Sequence, residues 1–181
     1  MPPKKLMKKV CLLGDGAVGK TSLIRKFVFD TFDDKYIMTF GTKVSKKDVT
    51  IVRNGQEFNM TFIIWDILGQ RVRDNIHSAY YQGASGAFIV CDTTRMETLE
   101  HMGEWIDVFR RVNRDAPVIL LGNKSDLKGE MKFDDSELGQ LAATHSMKYH
   151  LTSAKTGVHV EEAFIELGNE VIDQHLKRGG A

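Results

Sequence analysis

Gly14-Asp15-Gly16-Ala17-Val18-Gly19-Lys20-Thr21 decides how the rest of this chain reads. It follows the apolar run Val10–Leu13 and precedes Ser22–Phe29, where Leu23, Phe27 and Val28 fall on one side of a helix. Strand, glycine-rich turn and helix in that order are the context that the pattern G-x-x-x-x-G-K-[ST] requires. The glycines let the backbone curl until successive N–H groups converge on phosphate. The helix N-terminus adds a partial positive charge. Lys20 supplies a full charge for the β- and γ-phosphates, and the Thr21 hydroxyl is placed for Mg²⁺. A glycine-rich turn that binds nothing is the bland alternative, but it leaves Lys20 and Thr21 without a role. The stretch therefore points to a nucleoside triphosphate, without naming the base or the reaction.

Outward from this loop the chain alternates strand and helix. Val44–Val52 and Phe58–Trp65 flank Asn54-Gly55, a hairpin turn signal. Ala87–Cys91 and Val118–Leu121 are nearly all apolar, as strands covered on both faces should be. Leu99, Met102, Ile106, Phe109 and Val112 recur at helical spacing between them. Asp134 with Glu137 opens another helix, Met147–Leu151 is a short strand, and Val160, Phe164, Leu167, Val171 and Ile172 mark a final helix. The expected architecture is α/β, a mostly parallel doubly wound sheet with one antiparallel edge strand. Residues 1–181 are expected to form one domain, with 1–7 and 177–181 as flexible tails. Such sheets bind ligands beyond the carboxyl ends of their strands, which directs attention to the loops after Leu13, Trp65, Leu121 and Leu151.

All four loops carry polar motifs. Asn123-Lys124-Ser125-Asp126 follows Val118–Gly122. A carboxylate there can accept from the N1–H and exocyclic amine of guanine, whereas adenine has no N1–H and would leave it unpaired, a discrimination on the order of 10⁴. The Lys124 stem can lie along the base plane. Ser153-Ala154-Lys155 can offer a backbone N–H to the base oxygen and a second aliphatic stem; alone it is a weak signal, but in this order the three motifs are specific for a guanine nucleotide. Asp66-Ile67-Leu68-Gly69-Gln70 follows Phe62–Trp65. Asp66 can hold a Mg²⁺-bound water, Gly69 can bring an N–H to the γ-phosphate, and Gln70 can orient an attacking water. Tyr36 and Thr39 lie in the loop before the hairpin. Thr39 is either a second Mg²⁺ hydroxyl or an ordinary loop threonine. Phe32 either lies against the base or packs on the first helix.

The composition excludes several classes. Hydrophobic residues at 42% can cover a central sheet, and a net charge of +1 gives no reason to expect nucleic acid. Cys11 and Cys91 sit inside apolar strands and read as core, and the six histidines lack ligand spacing. No segment approaches the roughly 20 apolar residues of a membrane span. Pro2 stands where myristoylation needs glycine, and the last residues contain no cysteine for prenylation, so a cytoplasmic chain without a lipid anchor is expected.

Across roughly residues 8–176 the chain resembles the Ras superfamily of small GTPases, on Gly14–Thr21, Thr39, Asp66–Gln70, Asn123–Asp126 and Ser153–Lys155. The resemblance implies a P-loop G domain, a six-stranded sheet flanked by five helices. It makes Thr39 the switch I threonine and Phe32 the guanine-flanking aromatic. By the same resemblance GTP or GDP is held by Gly14, Asp15, Gly16, Ala17, Val18, Gly19, Lys20, Thr21, Ser22, Phe32, Tyr36, Thr39, Gly69, Asn123, Lys124, Asp126, Ser153, Ala154 and Lys155. Mg²⁺ falls to Thr21, Thr39 and Asp66, and catalysis to Gln70, Lys20 and Gly69. The implied function is a slow GTP hydrolase, about 10⁻⁴ s⁻¹ unaided, switching through switch I and switch II to bind effectors and served by an exchange factor and a GTPase-activating protein. The rival is a nucleotide-gated binding module with little hydrolysis. Tyr36–Gly41 looks like the Rab form of switch I, whereas Gly14–Thr21 looks like the Rho form of the phosphate loop. The short span between Asp126 and Ser153 leaves no room for the Rho insert, which favours a Rab-like member; a prokaryotic or archaeal one would fit the mixture. Most relatives read Asp-Thr-Ala-Gly-Gln-Glu in switch II, where this chain has Ile67, Leu68 and Arg71 for the Thr, Ala and Glu. Altered exchange and hydrolysis rates are therefore expected.

Overall fold

The computed structural model describes residues 2–32, 42–67 and 78–180. Six strands form one sheet in the order β2-β3-β1-β4-β5-β6. They are β1 (Lys4–Gly14), β2 (Lys43–Arg53), β3 (Gln56–Asp66), β4 (Gly86–Asp92), β5 (Val118–Asn123) and β6 (Lys148–Leu151). Every pairing is parallel except β2 with β3, which places the one antiparallel strand at the edge, as expected. Asn54 and Gly55 both take positive φ, 52° and 75°, the backbone of a two-residue hairpin turn. The β2 burial pattern alternates with period two because one of its faces is open, whereas all seven residues of β4 are buried.

The helices are α1 (Lys20–Phe29), α2 (Ser78–Tyr81), α3 (Met96–Glu100), α4 (Met102–Val112), α5 (Asp135–Thr144) and α6 (Val160–Lys177). The five expected helices thus appear as six helical segments among the described residues, because α3 and α4 are parted only by His101. Asp134 caps α5 with the full reciprocal box, its side chain taking the Ser136 N–H while Glu137 reaches back. One core packs α1 and α6 against the sheet, with Phe27 stacked on Phe164 at 3.9 Å between ring centres. The other packs α4 and α5 on the opposite face around Trp105 and Phe109. Cys11 and Cys91 lie in this second core as free thiols.

Two expectations change. β1 begins at Lys4, inside the stretch read as an N-terminal tail, because Phe58–Thr61 of β3 offer it a parallel partner from Lys4↔Phe58 onward. At the other end α6 runs to Lys177, and Gly179 and Gly180 donate back to Leu176 and His175, closing the helix rather than leaving it at once.

Candidate functional site

β1 ends at Gly14 and α1 begins at Lys20, so Gly14–Thr21 caps the sheet at the carboxyl end of its central strand. Gly14 (φ 143°) and Gly19 (φ 102°) occupy left-handed backbone, and a Cβ on either would run into Val90 O or the Asn123 amide. The turn brings Lys20 back over its own loop, where Nζ donates to Gly14 O (2.8 Å) and Asp15 O (2.7 Å). Lys20 is only 7% exposed. Burial pushes its pKa down to about 8, and the carboxylates of Asp66 and Asp15 hold it up against that. A buried ammonium that has no ion-pair partner at bonding distance among the described residues is poised for an anion.

Residues 15–18 are each held by a side chain from a distant element. Asp15 accepts from the Trp105 indole N–H (2.9 Å) and sits 2.6 Å from His101 Nδ1. The Gly16 carbonyl accepts from Arg95 Nη2 (2.7 Å), the Ala17 carbonyl from Lys124 Nζ (3.0 Å), and the Val18 carbonyl from Asn123 Nδ2 (3.0 Å). Three successive carbonyls are thus occupied by outside donors, which fixes the curl of the loop backbone. Two of those donors share one buried carboxylate: Asp92, at the end of β4, accepts from Lys124 Nζ (2.6 Å) and Arg95 Nε (3.2 Å). It also accepts from the backbone and hydroxyl of Thr94. Burial alone would raise the Asp92 pKa, but the bonds from Lys124 and Thr94 outweigh it and hold the carboxyl low.

The two loops expected to read guanine meet at Asn123. Its Oδ1 accepts from Thr152 Oγ1 and from the Ala154 N–H, both at 3.2 Å, so one buried amide ties the phosphate loop to both base loops. Asp126 accepts from Ser153 Oγ (2.7 Å), and that hydroxyl in turn takes the Thr156 N–H. Asp126 remains half-buried, Ala154 is buried and Lys155 is exposed. Lys124 takes φ 67°, a left-handed turn that carries its stem across the mouth of the loop. Phe32 is 37% exposed and belongs to neither core cluster. Ser22 is half-buried in the first turn of α1.

Thr21 Oγ1 donates to Asp66 Oδ2 at 2.5 Å, joining the start of α1 to the end of β3. Asp66 is 2% exposed. A hydroxyl and a carboxylate side by side are hard oxygen donors of the kind Mg²⁺ takes, so these residues fit the ion. Ile67, which departs from the family pattern, is 1% exposed and belongs to the same core as Leu13, Tyr81 and Ile89. Tyr36, Thr39, Leu68, Gly69, Gln70 and Arg71 lie outside the described residues.

Sequence reasoning missed Asp92, Arg95, His101 and Trp105. For Asp92 a signal existed: it ends an apolar parallel strand, in register with Asn123, as Asp66 ends β3. No helix among the described residues is long and apolar enough to cross a membrane.

Against known proteins, residues 9–173 match the Ras family. The cattle (Bos taurus) Ras-related protein Rab-13 is 36% identical over 174 residues, covering 95% of this chain and 82% of the relative. The rat (Rattus norvegicus) Rab-13 matches at the same identity and coverage. The Ras-related protein Rab-10 of the electric ray Diplobatis ommata is 32% identical over 170 residues, covering 93% of this chain and 83% of the relative.

Proposed function

The chain belongs to the Ras family and is Rab-like, and from that premise we propose how its own residues run the guanine-nucleotide cycle. It is a small GTPase, a nucleotide-dependent switch that binds GTP and GDP and hydrolyses GTP. Lys20, held over the phosphate loop, takes the β- and γ-phosphates, and the N–H groups of Gly14–Thr21 surround them. Asp126 accepts from the guanine edge, Lys124 and Lys155 lie along the base, Phe32 flanks it, and Ala154 N–H serves the base oxygen. Ser22 and Tyr36 complete the phosphate contacts. Thr21 and Asp66, with Thr39, would hold Mg²⁺, which when bound would neutralise the charge that develops on the phosphates. Gln70 orients the attacking water and Gly69 donates its N–H to the γ-phosphate.

The observation that carries this reading is the junction at Asn123, which makes phosphate loop and base loops one rigid rim. A site that discriminates a whole nucleotide needs its phosphate and base ends held at a constant spacing.

Switching follows from contacts that only GTP can offer: Thr39 and Gly69 engage the γ-phosphate and are released on hydrolysis. Effectors read that difference at switch I, β2 and switch II, with an exchange factor and an activating protein setting the two rates. Leu68 and Arg71 alter those rates relative to family members with Ala and Glu. Two free, buried thiols agree with a cytoplasmic setting.

Single-turnover hydrolysis of GTP with Mg²⁺, followed by chromatography, tests the reading. Wild-type protein should convert bound GTP to GDP, and Gln70→Leu should slow it at least about tenfold. No conversion overnight by the wild type would leave a nucleotide-gated binding module instead. Unchanged rates in Leu68→Ala and Arg71→Glu would remove the role given to those two residues.

A further inference from the structure

At the end of the sheet away from the nucleotide loops lies a separate cavity of about 460 Å³, within the range of small-ligand sites. The turns before β4 and β5 form one side and the last turns of α6 the other, with Lys8 of β1 between them. The turns are fixed from within. Arg110 Nη1 donates to Arg114 O (2.5 Å) and Ala116 O (2.9 Å), Gln174 Nε2 donates to Asp115 O (2.5 Å), and Ser85 N donates to Lys9 O (2.7 Å).

The lining is unbalanced in charge. Lys8, Arg114 and Arg178 are cationic and His175 is titratable, whereas Asp115 is the one carboxylate among the described lining residues. Asp115 lies 3.7 Å from Arg178, and both side chains are mostly exposed, so water screens that pair. Among the described residues no carboxylate pairs with Lys8 Nζ there; its neighbour at 3.4 Å is His175 Nδ1. Burial lowers the Lys8 pKa and the charge of Arg178 lowers it further. Burial likewise lowers His175, followed by the charges of Lys8 and Lys4. The charges of Lys8 and Arg178 oppose one another across a space large enough for a ligand. Three cations against one carboxylate leave a surplus of two, which matches the charge of −1.5 to −2, approximately, on a phosphomonoester.

We propose that this cavity binds a phosphomonoester group, with Lys8, His175 and Arg178 as its principal contacts. The proposal does not depend on the nucleotide reading. The group can reach the cavity as a soluble phosphate or as a lipid headgroup, and two arms of one experiment separate these sources.

In the first arm, protein loaded with GDP and Mg²⁺, so that the phosphate loop is filled, is titrated with inorganic phosphate and followed by NMR at the His175 ring and the Ser85 amide. Saturable shifts at both are expected, with the His175 pKa rising because a bound anion favours the imidazolium. Arg178→Gln and Lys8→Gln should each weaken binding, and the pair by about tenfold or more. Arg178 is largely exposed, so its variant should fold normally even if Lys8→Gln does not. In the second arm, flotation on phosphatidylcholine vesicles is compared with and without phosphatidylinositol 4-phosphate. Flotation that needs the phosphorylated lipid and is lost in Arg178→Gln supports the site and assigns the headgroup. NMR binding without flotation supports the site and assigns a soluble phosphate. Absence of shifts together with absence of flotation overturns the proposal. So do shifts that chloride reproduces at equal ionic strength, or that survive both substitutions.

Discussion

Replacing Asp92 with asparagine tests the claim that the phosphate loop is shaped from outside. The carboxylate is 1% exposed and accepts four hydrogen bonds. Asparagine can keep its oxygen toward Thr94, but its amide then turns N–H groups on Lys124 and Arg95, donor against donor. A charge-assisted bond contributes about 1.5–3 kcal/mol when fully buried. Lys124 and Arg95 are 33% and 35% exposed, so water recovers part of each loss. About 1 kcal/mol for each is a fair discounted figure, and the misplaced amide brings the total to roughly 2–3 kcal/mol. For a domain of this size that lowers Tm by about 4–12 °C. Since Lys124 and Arg95 also hold the Ala17 and Gly16 carbonyls, about half of the loss should appear in nucleotide binding, as roughly 5- to 13-fold faster GDP release. Stopped-flow displacement of a fluorescent GDP analogue measures the release, and thermal unfolding with GDP in excess measures the stability. Release within twofold of wild type, alongside a clearly lowered Tm, would refute the reasoning: Asp92 would then support the fold without shaping the loop.

Further outcomes follow from the same geometry. Lys20 sits at about 8 without ligand, and phosphate oxygens favour its charged form, so GDP binding above that pH should take up part of a proton and weaken as pH rises; calorimetry in buffers of different ionisation enthalpy checks this, and buffer-independent heats would contradict it. Asn123→Ala strands the Val18 carbonyl, the Thr152 hydroxyl and the Ala154 N–H and should cost about 2–4 kcal/mol in urea unfolding, where a loss below about 1 kcal/mol would be too small for the role given. The bond to Asp15 raises the His101 pKa, so this pair's contribution to stability is full below the free imidazole value of about 6.5 and is lost as pH rises through the higher folded value. Histidine NMR should show that pKa falling toward the ordinary range in Asp15→Asn, and an unchanged value would place the cause elsewhere.

Much of this molecule was legible because its signals are local. Gly14–Thr21 needs only neighbouring residues to form a strand, a turn and a helix, so its spacing declares both its backbone and its ligand. Asn54-Gly55 sets its hairpin, and the apolar runs of β4 and β5 announce strands covered on both faces, for the same reason. The network around the phosphate loop could not be read that way. Arg95 meets Gly16, Trp105 meets Asp15 and Lys124 meets Ala17 across long separations along the chain, and no periodicity records which carbonyl a side chain will reach. Packing also decided smaller matters, since Lys4–Met7 join the sheet because β3 extends far enough to pair them, and Phe32 lies outside the core because Leu23, Ile24 and Phe27 already fill the buried face of α1. By itself the sequence determined the fold class and the kind of ligand, since both depend on short-range backbone geometry and side-chain chemistry. Only the tertiary structure decided how the ligand loop is braced and where the uncompensated cations gather, since both depend on distances between strands and helices that meet only when the sheet closes.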